Sequence, residues 1–356
     1  MDEDVYGRLR RFLDRLPSGF PETPDGVEIR LLKKMFSPED AELVMKLTDR
    51  PETVSDISKR TGIDEGELPE KLEALAARGL IFRICREGRR LYQAYHFVIG
   101  LYEFQVNRLD RELCELFEAY LPYIGLSSAR LTSQYRVIPV ESSLPDNAQV
   151  APYNRIREIV RKETVISLAP CICKKEQELL GHKCEKPREV CLMFGDFARF
   201  YIDNGYGRSI GADEALRVLD RAEESGLVLT CSNARKLETL CCCCTCCCPT
   251  LRNIRKLKSP ARYMLSYYQA AIDRDACTGC GACADGCPME AIAEDGDVRQ
   301  VLEKRCIGCG LCANRCPVGA ISLRALPDRR EGPPPTREAV LDIIAEERGI
   351  GRAPAP

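Results

Sequence analysis

Apolar residues recur at helical spacing from Val5 to Leu16, so the chain opens on a predicted helix over 5–16. A Pro- and Gly-rich link, Pro17 to Gly26, ends it. Ser37-Pro38-Glu39-Asp40 then carries a helix start, with Ser as N-cap, Pro at the first position and acids in the first turn. That helix is predicted to run to Leu47. Thr53 to Arg60 predicts a second, stopped at Thr61-Gly62. Asp64 reads as the cap of a third, whose Leu68, Leu72 and Leu75 lead to Gly79. The period then shortens: Leu80 to Ile84 and Leu91 to Tyr95, around a turn at Glu87-Gly88, predict a hairpin. Further helices are expected over 98–165, with a less regular stretch from Leu121 to Asp146. Residues 166–250 read as helical segments, Asp213 to Ser225 among them, wrapped by cysteines. From Pro327 a tail carries Pro333-Pro334-Pro335 and a predicted helix from Thr336 to Arg348. A helix behind such a stiff spacer docks on its own chain or on a partner.

Three helices followed by a two-stranded wing resemble a winged helix-turn-helix domain over residues 26–97. The resemblance implies DNA binding, and charge opposes it. The helix that would enter the groove carries Asp64, Glu65, Glu67, Glu70 and Glu73 against Lys71 and Arg78. Acids facing phosphates work against the counterion release that dominates nucleic-acid affinity. Arg83, Arg86, Arg89 and Arg90 on the hairpin suit a phosphate backbone or a solvated wing equally. A protein-docking or scaffolding role is the expectation for this part.

Over all 356 residues, 52 basic side chains meet 54 acidic ones, a net charge of -2. No global positive field advertises nucleic acid or anionic lipid. The acidic start Met1-Asp2-Glu3-Asp4 is no secretory n-region, and no apolar run approaches the ~18 residues of a membrane helix. A soluble, cytoplasmic protein is expected. Cysteine changes the picture: there are 22, and 20 of them lie between Cys171 and Cys316. Disulfide scaffolds belong to small exported chains, whereas clustered thiols in a reducing compartment mean metal. Cys85, in a strand-like run, and Cys114, beside Leu113 and Leu116, read as buried apolar thiols.

Cys277-x2-Cys280-x2-Cys283-x3-Cys287-Pro288 is followed by Cys306-x2-Cys309-x2-Cys312-x3-Cys316-Pro317. Both match the run C-x2-C-x2-C-x3-C-P, whose fourth Cys ligates the other cluster. The flanks Met289-Glu290-Ala291-Ile292 and Val318-Gly319-Ala320-Ile321 repeat as well, so the segment is an internal duplication. Gly279, Gly308 and Gly310 permit the turn by which three thiolates wrap one corner of a cube, and freed N–H groups offset the negative charge. By that logic one cluster takes Cys277, Cys280, Cys283 and Cys316, and the other Cys306, Cys309, Cys312 and Cys287. Structural zinc would instead show two C-x2-C pairs ~12–20 residues apart. The module resembles bacterial-type dicluster ferredoxins, which implies two [4Fe–4S] clusters.

Upstream, Cys171, Cys173, Cys184 and Cys191 give a second set of four thiols, enough for a further iron–sulfur cluster or, less in keeping with the neighbourhood, for zinc. His182 nearby reads as a solvated loop residue. The run Cys241-Cys242-Cys243-Cys244-Thr245-Cys246-Cys247-Cys248-Pro249 cannot bind one cubane with every thiol, because neighbouring side chains diverge. Alternate members are expected to face one metal site while others face a second or stay free, and Cys241, Cys243, Cys244, Cys246 and Cys247 are taken as its ligands. Its paired cysteines resemble the double-Cys ligands of non-cubane clusters in heterodisulfide-reductase-type enzymes, without the Gly that follows them there. Residues 166–324 as a whole resemble iron–sulfur proteins of anaerobic bacteria and archaea, in which a C-x-C…C…C segment precedes a C-x-C-C-x-C-C-C-like run and then a dicluster. That resemblance implies extra metal and an anaerobic setting; it names no substrate. Gly205-Tyr206-Gly207-Arg208-Ser209-Ile210-Gly211 follows a helix, with its third Gly one place late, and is read as a helix end and turn instead of a dinucleotide loop.

The expected architecture is α+β and multidomain. It comprises a winged-helix-like domain with its leading helix (1–97), a helical connector (98–165), a helical cysteine-rich metal-binding region (166–250), a dicluster ferredoxin-like domain (272–324) and a Pro-rich tail with a short helix (327–356). The expected function is single-electron relay, by two [4Fe–4S] clusters and one or more further clusters, to or within an anaerobic oxidoreductase system. Redox proteins are the expected partners, with a homo-oligomer left open. The alternatives are a redox enzyme with an unusual catalytic cluster at Cys241–Cys248 and an iron–sulfur, redox-sensing DNA-binding regulator.

Overall fold

A computed structural model describes residues 4–144, 152–329 and 331–352. The N-terminal part runs α1 (Val5–Asp14), α2 (Val27–Met35), α3 (Pro38–Val44), α4 (Val54–Thr61), α5 (Leu68–Ala77), then the hairpin β1 (Phe82–Arg86) and β2 (Arg89–Gln93). Both α3 and α4 begin with a full capping box, Ser37 with Asp40 and Thr53 with Asp56, so orphan N–H groups are satisfied reciprocally. The Asp40 N–H donates to the Ser37 hydroxyl at 3.2 Å. Ser37→Ala is therefore expected to cost about 1 kcal/mol, read as a lower urea midpoint with unchanged slope. Glu87 and Gly88 both take positive φ, 51° and 74°, which sets a tight turn whose twist matches the strands.

Two features of this part differ from the sequence reading. Helix α2 fills a stretch where no helix was expected. Gly26, in the left-handed region, precedes it without a side-chain cap, so the start signal is missing although Val27, Leu31 and Leu32 bury fully. Helix α5 begins at Leu68, not at Asp64, whose carboxylate instead accepts the Gly66 N–H at 2.9 Å in a local turn. Pro69 lies in the first turn of α5, where its missing N–H does no harm.

Helix α6 (Arg111–Ser128) runs through Pro122, where an irregular stretch was expected. Pro122 removes one backbone bond, but Phe117 stacked on Tyr102 and Tyr120 packed on Phe20 hold the helix from its buried side. The supposedly irregular segment also contains β3 (Tyr135–Ile138); Pro145 and Asp146 at its end lie outside the described residues.

The middle of the chain corrects the expectation of a helical cysteine-rich region. It runs α7 (Ile156–Lys162), β4 (Ile166–Pro170), α8 (Ile172–Leu179), β5 (Glu189–Phe194), α9 (Gly195–Asp203), β6 (Arg208–Ile210), α10 (Ala212–Glu224), β7 (Val228–Ser232), β8 (Thr239–Cys243) and α11 (Pro249–Ile254). With β3 these strands form one six-stranded sheet, ordered β3-β7-β8-β5-β4-β6 and antiparallel throughout. The physical reason is burial. All five residues of β7 and five of the six of β5 are buried, so polar alternation, the usual mark of a strand, is absent. In β8 the strand is written in cysteine. One apolar core runs from Leu9 in α1 to Cys247, so the N-terminal part and the sheet share it.

The C-terminal module runs β9 (Tyr268–Ile272), α12 (Ala282–Asp285), β10 (Ile292–Asp295), β11 (Val298–Val301), α13 (Leu311–Asn314) and β12 (Ile321–Ala325). Strands β9 and β12 pair, as do β10 and β11, reflecting the two-fold repeat. A second apolar cluster ties the module to the sheet, joining Val137, Val228, Leu251 and Met264 with Met289, Ile307 and Leu311. After the module, the Pro334 and Pro335 carbonyls accept the Arg235 and Lys236 N–H groups. Helix α14 (Arg337–Glu347), N-capped by Thr336, then returns to the N-terminal part. There Arg50 pairs with Glu338 and Asp342, both at 2.7 Å, and Arg337 lies over the rings of Tyr95 and Phe197.

Candidate metal centres

In the module each half turns tightly around its thiols. Gly279, Gly308 and Gly310 have φ of +67°, +64° and +79°, and Gly281 joins them at +83°. At Gly308 the fit is closest, since a Cβ there would sit 2.0 Å from the Tyr268 carbonyl oxygen. Gly308→Ala is therefore expected to lose about 2 kcal/mol or more and to lower the iron content of the anoxically purified protein. Gly296→Ala is the control. It has the same φ, +64°, in open space, so it carries the backbone strain alone and should leave the iron unchanged.

Two cavities result. One, of about 360 Å³, is lined by Cys306, Cys309, Cys312 and Cys287, with Ala270, Met289 and Ile307. The other, of about 290 Å³, is lined by Cys277, Cys280, Cys283 and Cys316, with Arg299 and Val318. Each cavity thus gathers three thiols from one half and the Cys-Pro thiol from the other. The repeat extends to the hydrogen bonds: Ala291 N–H donates to Cys287 Sγ and Ala320 N–H to Cys316 Sγ, both at 3.2 Å. Ala270 N–H reaches Cys306 Sγ at 3.5 Å. Four soft donors backed by N–H groups suit an anionic cubane, so the residues fit a [4Fe–4S] cluster in each cavity.

The cavities differ in depth. Burial pushes the Cys312 thiol up to about 12 and the Cys309 thiol well above its ordinary range. Loading metal onto Cys309 and Cys312 must therefore release protons. The outer cavity is wetter: Cys280 is exposed, and Val318 at its rim is 47% exposed. Bonds from the Gly279 and Arg299 N–H groups lower the Cys277 thiol.

The middle thiols regroup relative to the sequence reading. Cys184, which the spacing joined to Cys171, Cys173 and Cys191, sits instead with Cys244, Cys246 and Cys247. Their four sulfurs all lie within 4.8 Å of one another. Cys184 Sγ is 3.5 Å from Cys246 and 3.9 Å from Cys244, and Cys246 is 3.8 Å from Cys247. A tetrahedron of sulfurs ~2.3 Å from one central ion has edges of about 3.8 Å. A cubane sets its irons between the thiolates and spreads them wider. The spacing fits a single tetrahedral ion, zinc or iron. A hydrogen bond from Cys247, with help from the charge of Lys174, draws the Cys244 thiol down to about 5 against its burial.

The remaining thiols gather on and beside the sheet. Cys241 of β8 lies opposite Cys191 of β5 on one side and Thr230 of β7 on the other. Opposed residues share a face and alternate residues return to it, so Cys243 joins this row while Cys242 points to the other face, where it is 1% exposed. Cys171 caps α8, with Cys173 in its first turn, and Cys248 caps α11. The backbone gathers the set: Cys191 and Cys241 are partners across β5 and β8, the Cys171 N–H donates to the Arg188 carbonyl just ahead of β5, and Cys243 and Cys248 pack in one apolar cluster. Hydrogen bonds from Cys173 and Cys191 hold Cys171 well below its ordinary value, and bonds from Cys241 and Cys248 do the same for Cys243.

Cys248 was not among the expected ligands, though a signal was present. Cys248-Pro249 repeats the Cys-Pro corner of Cys287-Pro288 and Cys316-Pro317. His182 is exposed, Cys114 is buried, and Cys85 lies half-buried on β1.

Among the described residues no helix is long and apolar enough to cross a membrane. No curated protein matches the chain. One family model does match, over the segment whose thiols line the two cavities: residues 270–323 match the model of the 4Fe–4S dicluster domain.

Proposed function

We propose that the chain is an electron relay in which the dicluster module passes single electrons between a redox partner and the thiol-rich middle. The observation that carries this reading is the pair of cavities, each closed by a thiol from the opposite half. Cys306, Cys309, Cys312 and Cys287 would hold the inner [4Fe–4S] cluster, and Cys277, Cys280, Cys283 and Cys316 the outer one. Each cluster supplies one-electron exchange at a potential set by charge, hydrogen bonds and exposure. The outer cavity would be the port for a redox partner, in a reducing cytoplasm of an anaerobe, a reading that the exposure of Cys280 and Val318 supports. The inner cavity faces the sheet, since Cys287, Cys306 and Cys309 pack in the same apolar cluster as Cys243 and Cys248. Cys184, Cys244, Cys246 and Cys247 would hold one tetrahedral ion.

Three of the four hairpin arginines are engaged in ion pairs. Arg83 pairs with Glu73 and Asp203, Arg86 with Asp196, and Arg90 with Glu73, which favours the relay over a regulator. Metal and sulfide analysis of anoxically purified protein tests the relay reading. At least about eight irons per chain are expected, with two interacting paramagnetic centres after dithionite reduction. Fewer irons, or zinc in their place, would sink it.

A further inference from the structure

The sheet-side thiols number six once Cys248 is included: Cys171, Cys173, Cys191, Cys241, Cys243 and Cys248. A single tetrahedral ion is saturated by four thiolates, so six linked soft donors exceed what one such ion can use. They come from both strands of a paired register, β5 and β8, and from the starts of two helices.

A second observation points at the same place. Lys174 is 4% exposed, and among the described residues its ammonium has no hydrogen-bond partner. It follows Cys173 directly in the first turn of α8. Glu176, on the same helix, does not serve as counter-ion. It receives the Tyr102 hydroxyl at 3.0 Å, and burial together with the neighbouring Glu118 pushes its carboxyl well above the usual range. A buried cation persists only where negative charge surrounds it. Thiolates bound to metal carry more negative charge than their irons cancel, and they would do so permanently.

We propose that Cys171, Cys173, Cys191, Cys241, Cys243 and Cys248 hold a polynuclear iron–sulfur centre, separate from the pocket of Cys184, with Lys174 as the counter-charge between the two. The proposal rests on the relay reading only in taking iron and sulfide as the metal chemistry. Its position suits it to exchange with the inner cavity, because Cys243 and Cys248 share the apolar cluster of Cys287, Cys306 and Cys309.

Iron and sulfide counts with Mössbauer spectra of the full chain, purified without oxygen, provide the test. Wild type should hold iron beyond the ~8 of the dicluster module. Cys191→Ala with Cys241→Ala should lose that excess and keep the paired dicluster signals. Cys184→Ala with Cys246→Ala should keep most of the excess, losing one ion at most. Iron that stops at the dicluster content in wild type overturns the proposal, as does excess iron that survives the first double variant, or zinc found in place of the excess. Lys174→Met decides the matter where the double variant does not fold. Removing the positive charge should move the midpoint potential of the excess iron to more negative values and leave the dicluster centres unmoved; an unmoved potential counts against the proposal. Excess iron without dicluster signals would end the relay reading and leave this one standing.

Discussion

Cys287→Ala combined with Cys306→Ala is expected to remove about four irons per chain, whereas Cys287→Ala combined with Cys277→Ala should remove about eight. The asymmetry follows from which thiols share a cavity. Cys287 lines the inner cavity with Cys306, so the first pair strikes one cluster twice. Cys277 lines the outer cavity with Cys316, so the second pair strikes both clusters once. Were each run of four to hold its own cluster, the two results would be exchanged. Iron and sulfide analysis under anoxic conditions distinguishes the cases, with paramagnetic resonance of the reduced proteins as the second readout. A single cluster left in the first variant should lose the splitting that comes from its neighbour.

The second large effect concerns the far end of the chain. Ending it after Gly332 removes α14, whose Val340, Leu341 and Ile344 are each 1% exposed. Burial of three such aliphatic side chains is worth about 5 kcal/mol or more. The truncation also removes the Glu338 and Asp342 carboxylates that pair with Arg50. Domains are typically stable by only ~5–15 kcal/mol, so the truncated chain should show a much lower urea midpoint or fail to accumulate. Glu338→Gln is the milder companion: it keeps the helix and removes one charge from a half-exposed pair, with an expected loss of ~1 kcal/mol or less. If truncation leaves the midpoint where it was, the helix contributes nothing to the shared core.

Elements with local causes were legible in the sequence. The helix starts at Ser37 and Thr53, the turn at Glu87-Gly88 and the helix behind the proline spacer are written within a few residues of where they act. Helix α2 and the sheet were not, since α2 lacks a capping side chain and buried strands lack alternation. Pro122 misled in the other direction: a residue that usually breaks a helix sits in one that aromatic packing maintains.

The sites divide in the same manner. By itself the sequence determined which eight thiols line the two cavities and how they interleave, because short fixed spacing and glycine turns place three thiols within one local wrap and the repeat supplies the fourth. Only the tertiary structure decided the partition of the middle thiols. Cys184 is 62 residues from Cys246 in the chain yet 3.5 Å away in space, and Cys191 meets Cys241 through strand register. Pairing across a sheet depends on which strands become neighbours, which follows from burial of the whole core and leaves no mark on the spacing between cysteines.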